Sequence, residues 1–219
     1  MDLRIARIPK FVQLLFPERI WTIPNDKDCV YLTFDDGPNP EVTPWVLEEL
    51  KKHCAKATFF CIGKNVGKRP EIFQQILSEG HSVGNHTFDH LNGWKTKTSE
   101  YIENVEKAES RMVNNSEFEI LNSELFRPPY GRLASKQAKL LKKKGYKIIM
   151  WSIISFDYDA KLSKEKCLQN VLKNLKPGSI VVFHDSLKAE KNLRYALPKT
   201  LEFIAKKGWK CSSIQNSEF

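Results

Sequence analysis

The sequence has few cysteines and no long hydrophobic run. Its five cysteines are an odd number without a zinc-type pair spacing, which argues against both a complete disulfide framework and a cysteine zinc site. No stretch approaches the roughly 20 apolar residues of a membrane-spanning helix. The apolar segment 11–16 contains Gln13 and is too short for the core of a secretory signal. We therefore expect no membrane span and a cytoplasmic location, or the cell envelope or exterior if a leader was removed.

The sequence also lacks internal repeats, low-complexity tracts and linkers rich in Pro, Gly or Ser. With 41% hydrophobic and 28% charged residues, the 219-residue chain can bury a core, which excludes a disordered or collagen-like chain. We predict one domain over residues 29–214, an N-terminal extension over 1–28 packed on it, and a short tail over 215–219. We expect a monomer.

The chain is basic but has no nucleic-acid-binding signature. Its 35 Lys and Arg against 26 Asp and Glu give a formal net charge of +9. Many lysines fall on helix-like stretches such as 142–144 and 206–207, where a solvated helix face explains most of them. Because zinc-finger spacing and aromatic RNA-binding patterns are missing, we expect no nucleic-acid partner. An anionic glycan is the second explanation of the charge.

From residue 29 onward, short apolar runs alternate with longer stretches of helical period. This alternation predicts an α/β fold with a parallel sheet. Thr98 or Ser99 and Ser163 are candidate N-caps, and Gly145 and Gly208 follow lysine-rich helix ends as C-caps do. The predicted strands are 30–34, 58–62, 82–84, 125–127, 147–152, 179–183 and 210–214, and the predicted helices are 41–53, 70–79, 98–113, 134–144, 163–174 and 190–207.

Two polar clusters with metal-binding chemistry follow predicted strands. Asp35 and Asp36 are adjacent carboxylates that repel each other unless a cation or an arginine neutralises them, although Asp-Gly-Pro is also ordinary turn chemistry. His86 and His90 lie four residues apart, which surface helices also produce by accident. Together with Asp36, these histidines make a set suited to zinc, and three ligands leave the open position of a catalytic site.

Two further clusters also follow predicted strands. Arg127 leads into the stiff turn Pro128-Pro129-Tyr130-Gly131, which is otherwise a simple proline-rich loop. His184 follows a buried apolar run and is a candidate general acid, although a lone histidine there is more often a core residue. Because the carboxyl ends of parallel strands carry active sites, four clusters at such ends indicate one site.

These clusters, in this order, resemble the motifs of polysaccharide deacetylases with the NodB homology domain, which form carbohydrate esterase family 4. The likeness spans about residues 29–214, and its motifs together are very specific. The matching segments are Thr33-Phe34-Asp35-Asp36-Gly37-Pro38, His86-Thr87-Phe88-Asp89-His90, Arg127-Pro128-Pro129-Tyr130-Gly131 and Ile180-Val181-Val182-Phe183-His184-Asp185.

The resemblance implies a distorted (β/α) barrel with about seven parallel strands and a deacetylase that uses one divalent metal ion. It also assigns roles by position. Asp35 is the general base, Arg127 orients it, His184 is the general acid, the Tyr130 N–H belongs to the oxyanion hole, Val182 lines the acetyl pocket, and Asp36, His86 and His90 hold the metal.

The fourth motif of the family is altered in this chain. Asp157 is retained, and Tyr158 can replace the usual aromatic wall, but Ile154 stands where an aspartate normally tunes the acid histidine. Without a nearby carboxylate the pKa of His184 is less elevated, because an opposite charge favours the protonated form. We therefore expect the alkaline limb of activity at lower pH than in relatives with that aspartate.

The leading hypothesis is a metal-dependent hydrolase that removes acetyl groups, most readily N-acetyl, from an N-acetylglucosamine glycan such as peptidoglycan or chitin. The expected ion is Zn²⁺, although Co²⁺ and Ni²⁺ suit the same ligands. Two alternatives stay open. One is an amidohydrolase acting on a non-sugar N-acyl compound, and the other is a carbohydrate-binding homologue with impaired catalysis.

Overall fold

The computed structural model describes residues 5–23, 28–116 and 124–214. Seven parallel strands form one curled sheet in the order β5-β4-β3-β2-β1-β7-β6, and β8 pairs with the beginning of β1. This confirms the predicted distorted (β/α) barrel. The strands are β1 Cys29–Asp35, β2 Thr58–Cys61, β3 Ser82–Asn85, β4 Leu125–Phe126, β5 Lys147–Ile148, β6 Ile153–Ile154, β7 Ile180–His184 and β8 Lys210–Cys211.

Helices cover the outside of the sheet, and their ends follow local sequence chemistry. The Ser163 side chain accepts a hydrogen bond from the Lys166 N–H, as predicted for an N-cap. The prediction of Thr98 or Ser99 as the N-cap of the fifth helix is wrong, because Lys97 stands at that position. Gly145 and Gly208 take left-handed φ values of 94° and 70° after their helices, as predicted. The helices are α1 Lys10–Leu15, α2 Val42–Lys52, α3 Gly63–Lys68, α4 Pro70–Ser78, α5 Thr98–Asn114, α6 Ser135–Lys143, α7 Lys164–Leu172 and α8 Glu190–Lys206.

Strand β1 lies at the centre of the barrel and is buried along its whole length. Its side chains alternate, so that Val30, Leu32 and Phe34 pack towards the outer helices, while Tyr31 belongs to the cluster inside the barrel. The Phe34 ring stacks on Phe59 with 5.1 Å between ring centroids. The same alternation brings Asp35, the last residue of β1, to the inner face at the mouth of the barrel.

The predicted strand 147–152 is wrong beyond residue 148, because β5 ends at Ile148 and the next strand, β6, begins only at Ile153. Between them the carbonyl oxygens of Ile149 and Met150 accept hydrogen bonds from the Arg127 guanidinium, at 3.2 Å and 2.9 Å. The N–H of Met150 donates to Ile20 in the N-terminal segment. The Arg127 side chain and the backbone of Ile20 thus take the hydrogen bonds that neighbouring strands would make with one continuous strand.

The N-terminal segment fills the gap between β5 and β6. Isolated β-bridges join Ile20 to Ile149 and Arg7 to Ile153, and a third bridge joins Thr22 to Ser179. Residues 1–4, 24–27 and 117–123 and the predicted tail 215–219 lie outside the described residues. None of the described helices is long and apolar enough to cross a membrane.

Candidate active site

A cavity of about 500 Å³ opens at the carboxyl ends of the strands. The structure brings all four polar clusters to it. Arg127 and Asp157 are fully buried and contact Asp35 and His184 from behind. The predicted site residues that line the cavity are Asp35, Asp36, His86, His90, Tyr130 and His184.

Asp36, His86 and His90 form a compact group of possible metal ligands. One donor atom from each lies within 4.8 Å of the other two. Oδ1 of Asp36 is 3.2 Å from Nε2 of His90 and 3.8 Å from Nε2 of His86. Although this oxygen is buried, its contacts do not have the geometry of a hydrogen bond, so it stays without a hydrogen-bond partner among the described residues. A buried carboxylate oxygen without such a partner, facing two imidazole nitrogens, fits a bound cation.

The other ring nitrogen, Nδ1, of both His86 and His90 has a polar partner. Nδ1 of His86 donates to the Arg127 carbonyl oxygen at 2.8 Å, and Nδ1 of His90 lies 3.1 Å from the Tyr130 hydroxyl. A partner at Nδ1 fixes the orientation of each ring and leaves Nε2 free to coordinate an ion. Burial also lowers the pKa of His86 to about 4, so this imidazole is neutral, as a metal ligand must be.

Asp36 is ionised in this environment. Burial acts to raise the pKa of its carboxyl, but contact with His90 and the nearby His184 and His86 outweigh burial and hold the pKa below its usual range. The residue has a left-handed φ of 82°, which turns its side chain away from the direction of β1. The two adjacent carboxylates thus have different partners. Asp35 contacts Arg127, and Asp36 faces His86 and His90.

Arg127 holds Asp35 from inside the barrel. Nη1 donates to Oδ1 of Asp35 at 2.7 Å and to Oγ1 of Thr33 at 2.6 Å. The guanidinium is completely buried, and its Cζ lies 4.0 Å from the centroid of the Phe60 ring. Because every contact fixes the position of Arg127, the Asp35 carboxylate is held in one orientation at the mouth of the barrel.

His184 has a carboxylate partner, so the expectation that no carboxylate lies near it is wrong. Asp157 accepts from Nδ1 of His184 at 2.8 Å and from its backbone N–H at 2.8 Å. Burial acts to lower the pKa of His184, but the charge of Asp157 and its hydrogen bond outweigh burial and raise the pKa to about 9. The chain turns at Phe156, with φ of 59°, which brings Asp157 to the end of β7 and leaves Ile154 as an apolar wall of the cavity.

Replacing Asp157 by Asn is expected to move the alkaline limb of the kcat/KM profile to lower pH by about 1–3 units. The resemblance implies that the protonated imidazole of His184 is the general acid. Activity is therefore expected to fall as pH rises through the pKa of His184, and loss of the Asp157 charge lowers that pKa. Glu165→Gln, which removes an exposed charge from α7, is the matched control and leaves the limb in place. An unshifted limb in the Asp157 variant would contradict this assignment.

The turn after β4 presents Tyr130 at the rim of the cavity. Tyr130 takes a left-handed backbone conformation, φ 60° and ψ 8°, and its side chain is 61% exposed. Gly131 follows with φ of 66°, and a Cβ there would lie 2.7 Å from the Trp151 ring. The close packing of Gly131 on Trp151 fixes the turn, and with it the direction of the Tyr130 backbone N–H.

Asp185 is a supporting residue to which the sequence analysis assigned no role. Its fully buried carboxyl group accepts from the Gly37 N–H at 3.0 Å and from the Thr43 hydroxyl at 2.5 Å. Burial raises the pKa of Asp185 to about 8. These hydrogen bonds fix the turn that carries Asp36, and the adjacency of Asp185 to His184 was the sequence signal for it.

Replacing Gly37 by Ala is expected to destabilise the protein by about 1–3 kcal/mol, because a Cβ would lie 2.0 Å from Oδ2 of Asp185. The Asp185 carboxyl group cannot move away without losing its hydrogen bonds. Denaturant unfolding measures the change. Gly67→Ala in α3 is the control, because its Cβ meets only the flexible Arg111 side chain at 3.1 Å. Equal stability of the Gly37 and Gly67 variants would show that the turn tolerates a side chain.

One side of the cavity is apolar, and little in the sequence indicated the residues that form it. Trp151 and Phe156 come from the irregular stretches beside β6, and Ile5 and Ile8 come from the N-terminal segment. Val182, predicted to line the acetyl pocket, and Ile154 belong to the same wall. No strand-end pattern marks Ile5 or Ile8, since they reach the cavity only through backbone pairing.

Comparison with known proteins supports a common family. The family model for polysaccharide deacetylase matches residues 22–149, more than half of the chain. A peptidoglycan-N-acetylglucosamine deacetylase of Bacillus cereus is 36% identical over 198 residues, which are 89% of this chain and 90% of that protein. A chitooligosaccharide deacetylase of Azorhizobium caulinodans is 36% identical over 163 residues, 74% of this chain and 76% of that protein.

Solved structures agree with the sequence relatives. A crystal structure of a peptidoglycan N-acetylglucosamine deacetylase in complex with 4-naphthalen-1-yl-N-oxidanyl-benzamide matches with a TM-score of 0.86 and 32% identity, over 97% of each chain. A carbohydrate esterase family 4 pseudoenzyme from Bacillus anthracis matches with a TM-score of 0.78 and 26% identity, over 90% of this chain and 67% of that one. The fold, the order of the motifs and these matches lead to one conclusion: the chain belongs to the polysaccharide deacetylase family, the NodB-type carbohydrate esterases of family 4.

Proposed function

We propose that this protein is a metal-dependent hydrolase that removes N-acetyl groups from N-acetylglucosamine units of a glycan. The observation that carries the proposal is the buried Oδ1 of Asp36, which lacks a hydrogen-bond partner and faces Nε2 of two histidines. A carboxylate held by arginine and a histidine held by aspartate lie in the same cavity. An acid, a base and a cation site together are what amide hydrolysis requires.

Asp36, His86 and His90 are proposed to hold one divalent ion, with Zn²⁺ the best fit. Two neutral imidazoles and one carboxylate are a common zinc set, and Co²⁺ or Ni²⁺ suit the same donors. An ion in this position supplies Lewis-acid polarisation of the acetyl carbonyl and increases the acidity of water. Three protein ligands leave coordination positions for these partners.

Asp35 is proposed to act as the general base. Its ion pair with Arg127 fixes the orientation of the carboxylate. The free lone pairs of Asp35 can therefore accept the proton of the attacking water. Arg127 is fully buried beneath Asp35 and acts as its positioning residue.

His184 is proposed to act as the general acid. Because Asp157 occupies Nδ1, the proton on Nε2 is available to the leaving amine. A pKa of about 9 keeps His184 protonated at neutral pH. Asp35 and His184 are register partners on the neighbouring strands β1 and β7, so the proposed base and the proposed acid lie side by side. The N–H of Tyr130, on the fixed turn at the rim, is proposed as a donor to the oxyanion that forms in the transition state.

N-acetylglucosamine glycans are the substrate class that the neighbours of this chain suggest. Relatives named for peptidoglycan and for chitooligosaccharides match most of the chain. The formal net charge of +9 favours an anionic envelope glycan such as peptidoglycan over neutral chitin. The apolar wall of Ile154 and Val182 suits an acetyl methyl group.

The two other hypotheses predict different outcomes. A carbohydrate-binding homologue with impaired catalysis would resemble the pseudoenzyme in fold, but complete acid, base and cation-binding groups favour turnover. An amidohydrolase on a non-sugar compound would use the same groups, but its substrate would not be a glycan.

Acetate release tests the proposal. The purified protein is incubated with peptidoglycan, with chito-oligosaccharides and with small N-acyl amides, before and after chelation, and then with Zn²⁺ added back. We expect release from the glycans, loss on chelation and recovery with Zn²⁺. Binding without release would indicate the impaired homologue, and release only from small amides would indicate the non-sugar amidohydrolase. Release that survives complete metal removal would contradict the metal role.

A further inference from the structure

An exposed tryptophan lies on a rigid loop beside the cavity. Trp94 is 68% exposed and is four residues after His90, which lines the cavity. Four residues span at most about 14 Å, so the Cα of Trp94 lies within that distance of the Cα of His90. Tyr130, at the rim of the cavity, is 61% exposed. A single exposed aromatic side chain has no special meaning, so the case depends on how the loop is built.

The loop of Trp94 is held by hydrogen bonds on both sides. The side chain of Asn92 accepts from the Trp94 N–H at 3.1 Å, and its carbonyl oxygen accepts from the Lys95 N–H at 2.9 Å. The buried Gln137 donates to the carbonyl oxygens of Gly93 at 2.8 Å and Thr96 at 3.2 Å. The backbone is thus fixed before any ligand arrives, which lowers the entropy cost of binding.

Gly93 joins this loop to the Tyr130 turn. Its N–H donates to the Arg132 carbonyl oxygen at 3.2 Å, and a Cβ at Gly93 would lie 2.5 Å from that oxygen. This close approach brings the Arg132 guanidinium to 5.3 Å from the centroid of the Trp94 ring. Arg132 directly follows Gly131, which lines the cavity.

Arg132 carries a charge that the fold does not neutralise. The residue is exposed and its guanidinium lies over the Trp94 ring, and no ion pair joins it to a carboxylate in the described parts of the chain. Trp94 and Arg132 together present a flat apolar surface and a positive charge, each within four residues along the chain of a residue that lines the cavity. This combination suits a pyranose ring next to a carboxylate.

We propose that Trp94 and Arg132 form a subsite for a second unit of the glycan, next to the unit that reacts. Trp94 packs against the apolar face of that sugar ring, and Arg132 binds a carboxylate on the chain. The proposal rests on the proposed function and narrows its preferred substrate to a carboxylate-bearing, N-acetylated glycan of at least two units.

The test compares substrates of different length and charge. The kcat/KM values are measured on a short and a long chito-oligosaccharide and on a carboxylate-bearing peptidoglycan fragment of matched length. Trp94→Ala is expected to lower the long-to-short ratio by roughly 3- to 10-fold, with partial rescue in Trp94→Phe. Arg132→Gln is expected to lower the ratio of the charged to the neutral substrate by roughly 3- to 10-fold. Lys136→Gln, an exposed cation on α6, is the control and leaves both ratios unchanged.

The failures of the two proposals are distinguishable. If the wild-type protein releases acetate and the Trp94 and Arg132 variants keep both ratios, the subsite is wrong and the deacetylase proposal stands. If the wild-type protein releases no acetate from any glycan, the proposed function fails and the subsite with it. A thermal unfolding midpoint for each variant checks that the fold is intact.

Discussion

Replacing Asp35 by Asn is expected to lower kcat by about 10²–10⁴-fold, the usual contribution of a general base. Asparagine keeps the size of the side chain but cannot accept the proton of water. The substitution also leaves the buried Arg127 without its carboxylate, so a loss of stability of about 3–5 kcal/mol accompanies the loss of rate. Activity is therefore measured as acetate release at a temperature at which the variant is fully folded.

The Thr33→Val variant distinguishes a loss of turnover from a loss of stability. Thr33 accepts from the same Nη1 of Arg127 as Asp35 does, but it is fully buried and does not line the cavity. Loss of its hydroxyl is expected to cost about 1–3 kcal/mol of stability while most of the turnover is kept. If the Thr33 and Asp35 variants lose turnover equally, the Asp35 effect is structural and the base assignment is wrong.

Replacing Asp36 by Ala is expected to remove the bound metal and to lower activity by about 10³-fold or more, since Lewis-acid stabilisation contributes several kcal/mol. The Asp36 oxygen lies between the two histidines, so its loss leaves only two ligands. Elemental analysis of the purified protein and acetate release on the same sample measure both effects.

Asp89→Asn is the matched control for the Asp36 variant. Asp89 directly precedes His90, but its carboxylate is exposed and contacts Asn104 and Lys64. An exposed ion pair of this kind contributes about 0–1 kcal/mol. The control is expected to keep full metal content and activity. An Asp36 variant with normal metal content would refute the ligand assignment.

The position of the site was predictable because two simple rules act on the same residues. Parallel strands end at one edge of the sheet, and side chains alternate along each strand. For β1 and β7 these rules bring Asp35 and His184 side by side on the inner face, as their register shows. The helical N-cap at Ser163 follows an equally local rule. Local patterns of this kind need no knowledge of distant contacts.

The parts that sequence reasoning missed depend on contacts between distant residues. Arg127 interrupts the predicted strand 147–152 by binding two of its carbonyl oxygens, a contact that no local pattern marks. Asp157 reaches His184 because the chain turns at Phe156, although Ile154 indicated a missing carboxylate. Ile8 lines the cavity only because the N-terminal segment pairs with residues near 152.

The most direct test of the proposed metal centre is a crystal of the protein soaked in Zn²⁺, with anomalous diffraction collected at the zinc absorption edge. We expect one strong anomalous peak between Asp36, His86 and His90, at coordination distances of about 2.0–2.2 Å, and no such peak in crystals of the Asp36→Ala variant. A wild-type crystal with no peak there, or with zinc held by other side chains, would contradict the central claim.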